Sequence, residues 1–220
     1  MKRRTFLQHG GKFAGMGLMA LSQAKNSKAQ AIRSRKRIKI GQIGTTHAHA
    51  AGKMATLRKL SEDYEVVGIV EPDPDRQGQL KNHSAYRGLK WLSEEQLLNT
   101  PGLHAVAVET DITELVPTGA RCVSAGKHIH LDKPAGLSLT EFRTLLDDAT
   151  RRQLTVQMGY MFRHNPAFQF CFQAVQKGWL GEVFELDGVI SKTINAQQRQ
   201  KLVPYPGAMF ELGCHLVDRW

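Results

Sequence analysis

Three cysteines in 220 residues, Cys122, Cys171 and Cys214, are too few and too scattered for a disulfide framework, and no Cys-x-x-Cys or finger-spaced His pair signals a zinc site. The odd count leaves at least one thiol free in a monomer. Long apolar runs are scarce as well. The stretch from Phe13 to Leu21 has nine residues, against roughly 20 for a membrane-spanning helix, and no later segment is long and apolar enough to span. Acidic residues are missing from the first 37 positions, which hold ten basic ones: Lys2, Arg3, Arg4, Lys12, Lys25, Lys28, Arg33, Arg35, Lys36 and Arg37. The chain has 30 Lys and Arg against 20 Asp and Glu, so the whole formal charge of +10 belongs to this opening segment and the body is neutral. A neutral body excludes nucleic acid as an electrostatically recruited partner. No internal repeat or low-complexity tract appears.

What is present at the amino end is Lys2-Arg3-Arg4-Thr5-Phe6-Leu7, paired arginines before an apolar pair, followed by a weakly hydrophobic run and the small-x-small site Ala29-Gln30-Ala31. This is the pattern of a twin-arginine leader, read here as a signal peptide over residues 1–31. It implies the twin-arginine export machinery as a partner and a periplasmic or otherwise exported protein. That route carries folded proteins, so a cofactor bound before export is consistent with it.

From Arg37 onward, short apolar runs alternate with helical periods, which predicts βα units and a parallel sheet. Strands are expected at Ile38–Ile43, Glu65–Val70, Ala105–Val108, His128–Leu131 and Leu154–Met158, with a weaker one near Leu89–Leu92. Helices are expected at His49–Leu60, at Glu94–Leu98 behind a Ser93/Gln96 capping box, around Leu115–Ala125, and at Leu139–Arg152 after Ser138. The character changes near Met158. Asn165-Pro166 opens a helix to about Lys177, and Val183–Ser191 alternates like a strand with one solvated face. Gln197–Lys201 reads as a polar loop or helix start. The expected organisation is a Rossmann-like domain over residues 32–158 and the beginning of a second, α/β domain over 159–220.

Several constellations carry chemistry. The first βα loop, Ile43-Gly44-Thr45-Thr46-His47-Ala48-His49, lies where a dinucleotide fold cradles phosphate. With Gly44 as the first glycine of G-x-G-x-x-G, Thr46 and His49 stand at the other two glycine positions. Backbone N–H groups, the helix N-terminus and the threonine hydroxyls can still attract phosphate. Glu71 closes the second strand, where a carboxylate accepts from ribose hydroxyls and repels a 2′-phosphate, favouring NAD; Arg76 nearby leaves NADP open. Asp132-Lys133-Pro134 places a lysine at the C-terminal edge of a parallel strand, the edge at which open α/β sheets bind ligands. Glu211 and His215, four residues apart on an expected helix, would share a face, the carboxylate orienting an imidazole base. The His47/His49 and His128/His130 pairs lack a third ligand at a recognised spacing, so no metal is expected.

In this order, together with Gly159-Tyr160-Met161-Phe162-Arg163-His164-Asn165-Pro166 and Glu211-x-Gly213-x-His215-x-x-Asp218, these motifs resemble the Gfo/Idh/MocA family of NAD(P)-dependent oxidoreductases over about Arg37 to Trp220. The resemblance implies an α/β fold with a Rossmann-type parallel sheet domain followed by a substrate domain built on a broad, mostly antiparallel sheet. It implies a sugar, polyol or cyclitol substrate. By that likeness Lys133, His215 and Glu211 are the candidate catalytic residues, with His215 as acid/base. The candidate cofactor-binding residues are Gly44, Thr45, Thr46, His47, Glu71, Thr110, Asp132 and Lys133. Asp132 stands where the family motif has Glu, and Glu211 where it has Asp. The substrate domain is expected to be incomplete, with exposed apolar surface and an unpaired sheet edge; were its sheet complete, a homo-oligomer could form through it. An NAD-dependent glycoside hydrolase of the same family and a non-catalytic binding module are the other readings the sequence leaves open.

Overall fold

A computed structural model describes residues 36–203, 205, 207 and 209–218. The expected leader therefore lies outside the described residues. The described residues from Ile38 onward form one compact unit.

Five parallel strands make its sheet: β1 (Ile38–Ile43), β2 (Tyr64–Val70), β3 (Ala105–Val108), β4 (His128–Leu131) and β5 (Val156–Met158). Their spatial order is β2-β1-β3-β4-β5. The chain therefore builds outward from β1 to one side, returns, and builds outward to the other. That reversal between β1 and β3 is the place where such sheets bind ligands. The weak strand expected near Leu89–Leu92 is a single parallel bridge of Trp91 to Ile69 on the outer edge of β2.

The helices cover both faces. They are α1 (Ala50–Lys59), α2 (Pro74–Leu80), α3 (Glu94–Leu98), α4 (Ile112–Ser124), α5 (Leu139–Arg151), α6 (Pro166–Gln176), α7 (Ala196–Leu202) and the short α8 (Cys214–Val217). Strand side chains alternate between faces, and this sorts the core. Val106, Val108, Ile129 and Leu131 point to the side covered by α3, α4 and α5, where they meet Leu97, Leu115, Val123 and Leu145. Ile40 and Ala107 point the other way and pack with Leu57 of α1. The register Ala107↔His130 and Val108↔Leu131 puts His130, and the residues that follow each strand, on the α1 side.

Helix ends follow local chemistry. Ser93 and Gln96 form the expected reciprocal capping box on α3, and Asn165 accepts from Ala167 N–H with Pro166 opening α6. Two helices exceed expectation. Asp73 caps α2 through the N–H groups of Asp75 and Arg76, and Asn195 with Gln198 builds a second capping box, turning the polar stretch around Gln197–Lys201 into α7. Helix α4 begins earlier than its apolar period suggested, directly after Asp111.

The expectation at Val183–Ser191 is corrected: this stretch is not a strand. A strand exists through its ladder, and among the described residues nothing pairs with it. Its apolar side chains Val183, Phe184, Leu186 and Val189 are exposed, as are Phe170, Trp179 and Leu180 nearby.

The core on the α4/α5 side holds the sheet. Leu131, fully buried there, is expected to cost about 2–5 kcal/mol when truncated to Ala, read as a lower urea midpoint with an unchanged slope. Leu137→Ala, at an exposed position, should stay within about 0.5 kcal/mol.

Candidate functional site

Three strand exits meet at the C-terminal edge of the sheet. β1 ends into Gly44, which has φ +88. A Cβ on Gly44 would lie 2.7 Å from Thr110 N and 2.8 Å from Glu109 C. Both the left-handed backbone and the approach of the β3 exit thus require glycine. β3 ends into Glu109 and Thr110, and β4 into Asp132 and Lys133.

Two clefts open on this edge. One, of about 590 Å³, is lined by Gly44, Thr46, Glu71, Trp91, Leu92, Thr110 and Asp111 among others. The other, of about 760 Å³, is lined by Thr46, His47, His49, Lys133, Phe162, Glu211 and His215 among others. Thr46 and Asp111 border both, so the clefts adjoin across the first βα loop. Each lies within the usual range of ligand pockets, about 300–1,000 Å³.

In the first cleft Glu71 is nearly buried. It accepts a hydrogen bond from the Thr45 hydroxyl and one of 3.1 Å from Asp73 N–H. Arg76 closes over the same point, its Nε donating to Thr45 Oγ1 at 2.6 Å and lying 3.6 Å from Glu71. A carboxylate has about four lone-pair sites, so Glu71 keeps capacity for a hydroxyl donor.

In the second cleft Lys133 is buried. Its backbone N–H donates to Asp132 Oδ1 at 2.7 Å and its ammonium to the Glu211 carbonyl at 3.2 Å. His215 is buried with Nδ1 lacking a hydrogen-bond partner among the described residues. Its ring sits edge-on to Tyr160 and Phe162, with centroids 6.2 and 5.1 Å away. Burial, then the charges of Lys133 and His49, pull its pKa below the usual histidine value, so the imidazole is neutral at pH 7. Arg163, whose guanidinium lies over Tyr160, forms a bidentate pair with Asp218 at 2.8 and 3.0 Å through Nε. It ties the turn Met161–His164 to the end of α8.

One expectation is corrected here. Glu211 does not orient His215: its carboxylate faces Lys192 at 4.0 Å, while the imidazole keeps its Nδ1 unpartnered. The reason is local. Met209–Gly213 is a π-helical turn that passes into α8, and across it the Glu211 carboxylate turns to Lys192 while its carbonyl takes the Lys133 ammonium.

The histidines of the first loop are placed by Asp132. His49 Nδ1 lies 3.1 and 3.2 Å from its two oxygens, so that nitrogen carries a proton toward an acceptor-only group. His47 Nε2 lies 3.0 Å from the Lys133 carbonyl and is its donor, while Nδ1 accepts from His49 N–H at 3.2 Å. Against the upward push of burial, the His49 hydrogen bond and the charge of His47 and His49 hold Asp132 below the usual carboxylate range. Glu109, beside it, goes the other way: burial, then the Asp132 charge, pushes it up to about 9. Two adjacent buried carboxyls cannot both ionise, and the one without donors keeps the proton.

Of the residues expected from sequence, Gly44, Thr46, Glu71 and Thr110 converge on the first cleft, and Thr46, His47, Lys133, Glu211 and His215 on the second; Asp132 lies beneath, and Thr45 is held between Glu71 and Arg76. Glu109 was not anticipated, and His130 was weighed only as half of the His128/His130 pair, where no third ligand was seen. A charged residue directly after the apolar run Ala105–Val108, in register with Asp132, is the signal that points to them.

A parallel sheet with a strand-order reversal, a glycine-turned first loop and a carboxylate after the second strand define a Rossmann-type α/β protein. Residues 38–160 match the oxidoreductase family with an NAD-binding Rossmann fold, Gfo/Idh/MocA, and the chain belongs to that family. It is 28% identical over 183 residues to an uncharacterized oxidoreductase, ORF334, of Rhizobium meliloti, covering 82% of this chain and 54% of that protein. It is 24% identical over 149 residues to a myo-inositol 2-dehydrogenase of Thermotoga maritima, covering 66% and 41%. A scyllo-inositol dehydrogenase from Lactobacillus casei, solved with NAD(H) and scyllo-inositol, superposes with a TM-score of 0.58 at 18% identity, over 67% of this chain and 43% of that one. The chain spans about half the length, or less, of these proteins.

The glycine requirement is testable. Gly44→Ala is expected to lose at least about 1–2 kcal/mol from the left-handed backbone alone, and more from the clash with the β3 exit. Urea titration checks this, with Gly52→Ala as control, because a Cβ at Gly52 in α1 meets nothing within 4 Å.

Proposed function

We propose that this chain carries the cofactor-binding half and part of the catalytic apparatus of an exported NAD(P)-dependent dehydrogenase acting on a secondary alcohol of a sugar, polyol or cyclitol. The observation that carries this reading is the adjoining pair of clefts at the sheet's reversal point, with Glu71 in one and Lys133 and His215 in the other. Inositol dehydrogenases among the similar proteins support the substrate class. The paired arginines near the amino end support export, and residues 32–158 serve as the cofactor domain, with the substrate domain beginning near 159.

The residues present fit a dinucleotide. The bare Cα of Gly44 keeps the loop tight against β3, and a larger residue would fill that space. Thr46 and the N-terminus of α1, a ten-residue helix, face the position of the phosphates, where N–H groups and the helix dipole favour negative charge. Glu71 would accept from the adenosine ribose, and Thr110 borders the same cleft. Bound there, the nicotinamide supplies hydride exchange with the alcohol carbon. His215 takes the hydroxyl proton, its low pKa keeping the imidazole in the base form at neutral pH. Lys133 stabilises the negative charge that develops on the alcohol oxygen. Tyr160 and Phe162 flank the imidazole and keep water from it. Glu211 contributes through its backbone carbonyl, which orients the Lys133 ammonium.

Lys133→Ala is expected to lower turnover about 100-fold or more while changing the NAD dissociation constant less than about threefold; equal turnover in the two proteins excludes the role. Because the pKa of His215 is lowered, its base form persists below pH 6.5. For alcohol oxidation the acid limb of kcat/KM should therefore fall below that pH; a limb at or above 6.5 removes His215 as the base. Replacing Arg3 and Arg4 together with Lys should block export in a bacterial host, read as retention of uncleaved chain inside the cell.

A further inference from the structure

We propose that Glu109, His130 and Asp132, with His47 at their edge, form a binding site for one divalent transition-metal cation. This inference does not depend on the dehydrogenase reading. The three side chains share the α1 side of the sheet for a geometric reason. His130 and Asp132 are two apart on one extended segment, and Glu109 follows β3 at the height of Asp132.

Their ligand atoms all lie within 4.8 Å of one another. His130 Nε2 is 4.0 Å from Glu109 Oε1, and His47 Nδ1 is 3.6 Å from both Glu109 Oε2 and Asp132 Oδ2. Ligands held about 2.0–2.2 Å from a zinc ion stand roughly 3.3 Å apart in a tetrahedron, so small rotamer shifts close the shell.

The second observation is independent of this spacing. The Glu109 side chain is fully buried, and neither of its oxygens, nor His130 Nε2, has a hydrogen-bond partner among the described residues. Orphaning a buried polar atom costs about 1–3 kcal/mol, and three such atoms aimed at one point are satisfied together by a cation. The Lys53 charge acts on both Glu109 and His130, but it hydrogen-bonds to none of the three orphaned atoms.

The surrounding shell fits as well. His47 gives its Nε2 proton to the Lys133 carbonyl, which makes Nδ1 an acceptor; it now takes the His49 N–H at 3.2 Å and joins the shell by exchanging that bond for the cation, while the Lys133 carbonyl holds the ring as backbone carbonyls hold metal-bound histidines. Two carboxylates with one or two imidazoles suit Zn²⁺, Co²⁺, Mn²⁺ or Fe²⁺ rather than Mg²⁺ or Ca²⁺, which take all-oxygen shells.

The test uses the chelator-treated chain titrated with Co²⁺ alone, followed by visible absorption and calorimetry. Expected are one Co²⁺ per chain, displacement by Zn²⁺, and at least about tenfold weaker binding in both Glu109→Gln and His130→Ala. No saturable binding by the parent chain, or undiminished binding in either variant, overturns the proposal. X-ray absorption on the Zn²⁺-loaded parent decides the case even where a variant fails to fold. A mixed nitrogen and oxygen shell with one or two imidazoles supports the site, and sulfur ligands or an all-imidazole shell overturn it.

Discussion

The parallel pairing of β1 with β3 and of β3 with β4 is the constraint on which the rest depends. It delivers three strand exits to one edge at nearly the same height, so Gly44, Glu109 and Asp132 become neighbours although 88 residues separate the first from the last. The first loop must then turn away at once, because the β3 exit leaves no room for a Cβ at Gly44. That turn aims His47 and His49 toward Lys133 and Asp132 and starts α1 at the same edge. The two clefts are the consequence, one on each side of the loop.

The same crowding creates an electrostatic problem. Asp132 is satisfied by the Lys133 N–H and by His49. Glu109, deeper and without donors, is left as a protonated acid or as the ligand of a cation. Lys133 is thus anchored at its backbone by an ionised carboxylate while its ammonium reaches across the cleft to Glu211. A lysine held at both ends and buried is fixed in position in a way that a solvated surface lysine is not.

Much of this was legible in the chain. Apolar runs such as Ala105–Val108 and His128–Leu131 fixed their strands to the residue, because buried parallel strands admit little else. Caps marked helix starts at Ser93, Ser138 and Asn165. What escaped depended on long-range contact. Val183–Ser191 alternates like a strand, but alternation describes one face and not a partner to pair with. Glu211 and His215 have the spacing of a shared face, yet the carboxylate is drawn to Lys192. Glu109 carries no signal of its own in the sequence; only the register sets it against Asp132. His49, which stands where a dinucleotide loop usually has its third glycine, gains its place from Asp132, 83 positions away.

Belonging to the NAD-binding Rossmann family defines what this half of the relatives' length is built to hold, and the altered glycine loop makes cofactor binding the claim most exposed to test. Calorimetric titration of the chain with NAD addresses it directly. The account predicts one saturable site per chain, weakened by Gly44→Val because the added side chain collides with the Thr110 backbone. Heats no larger than dilution, in a chain shown to be folded, would contradict it.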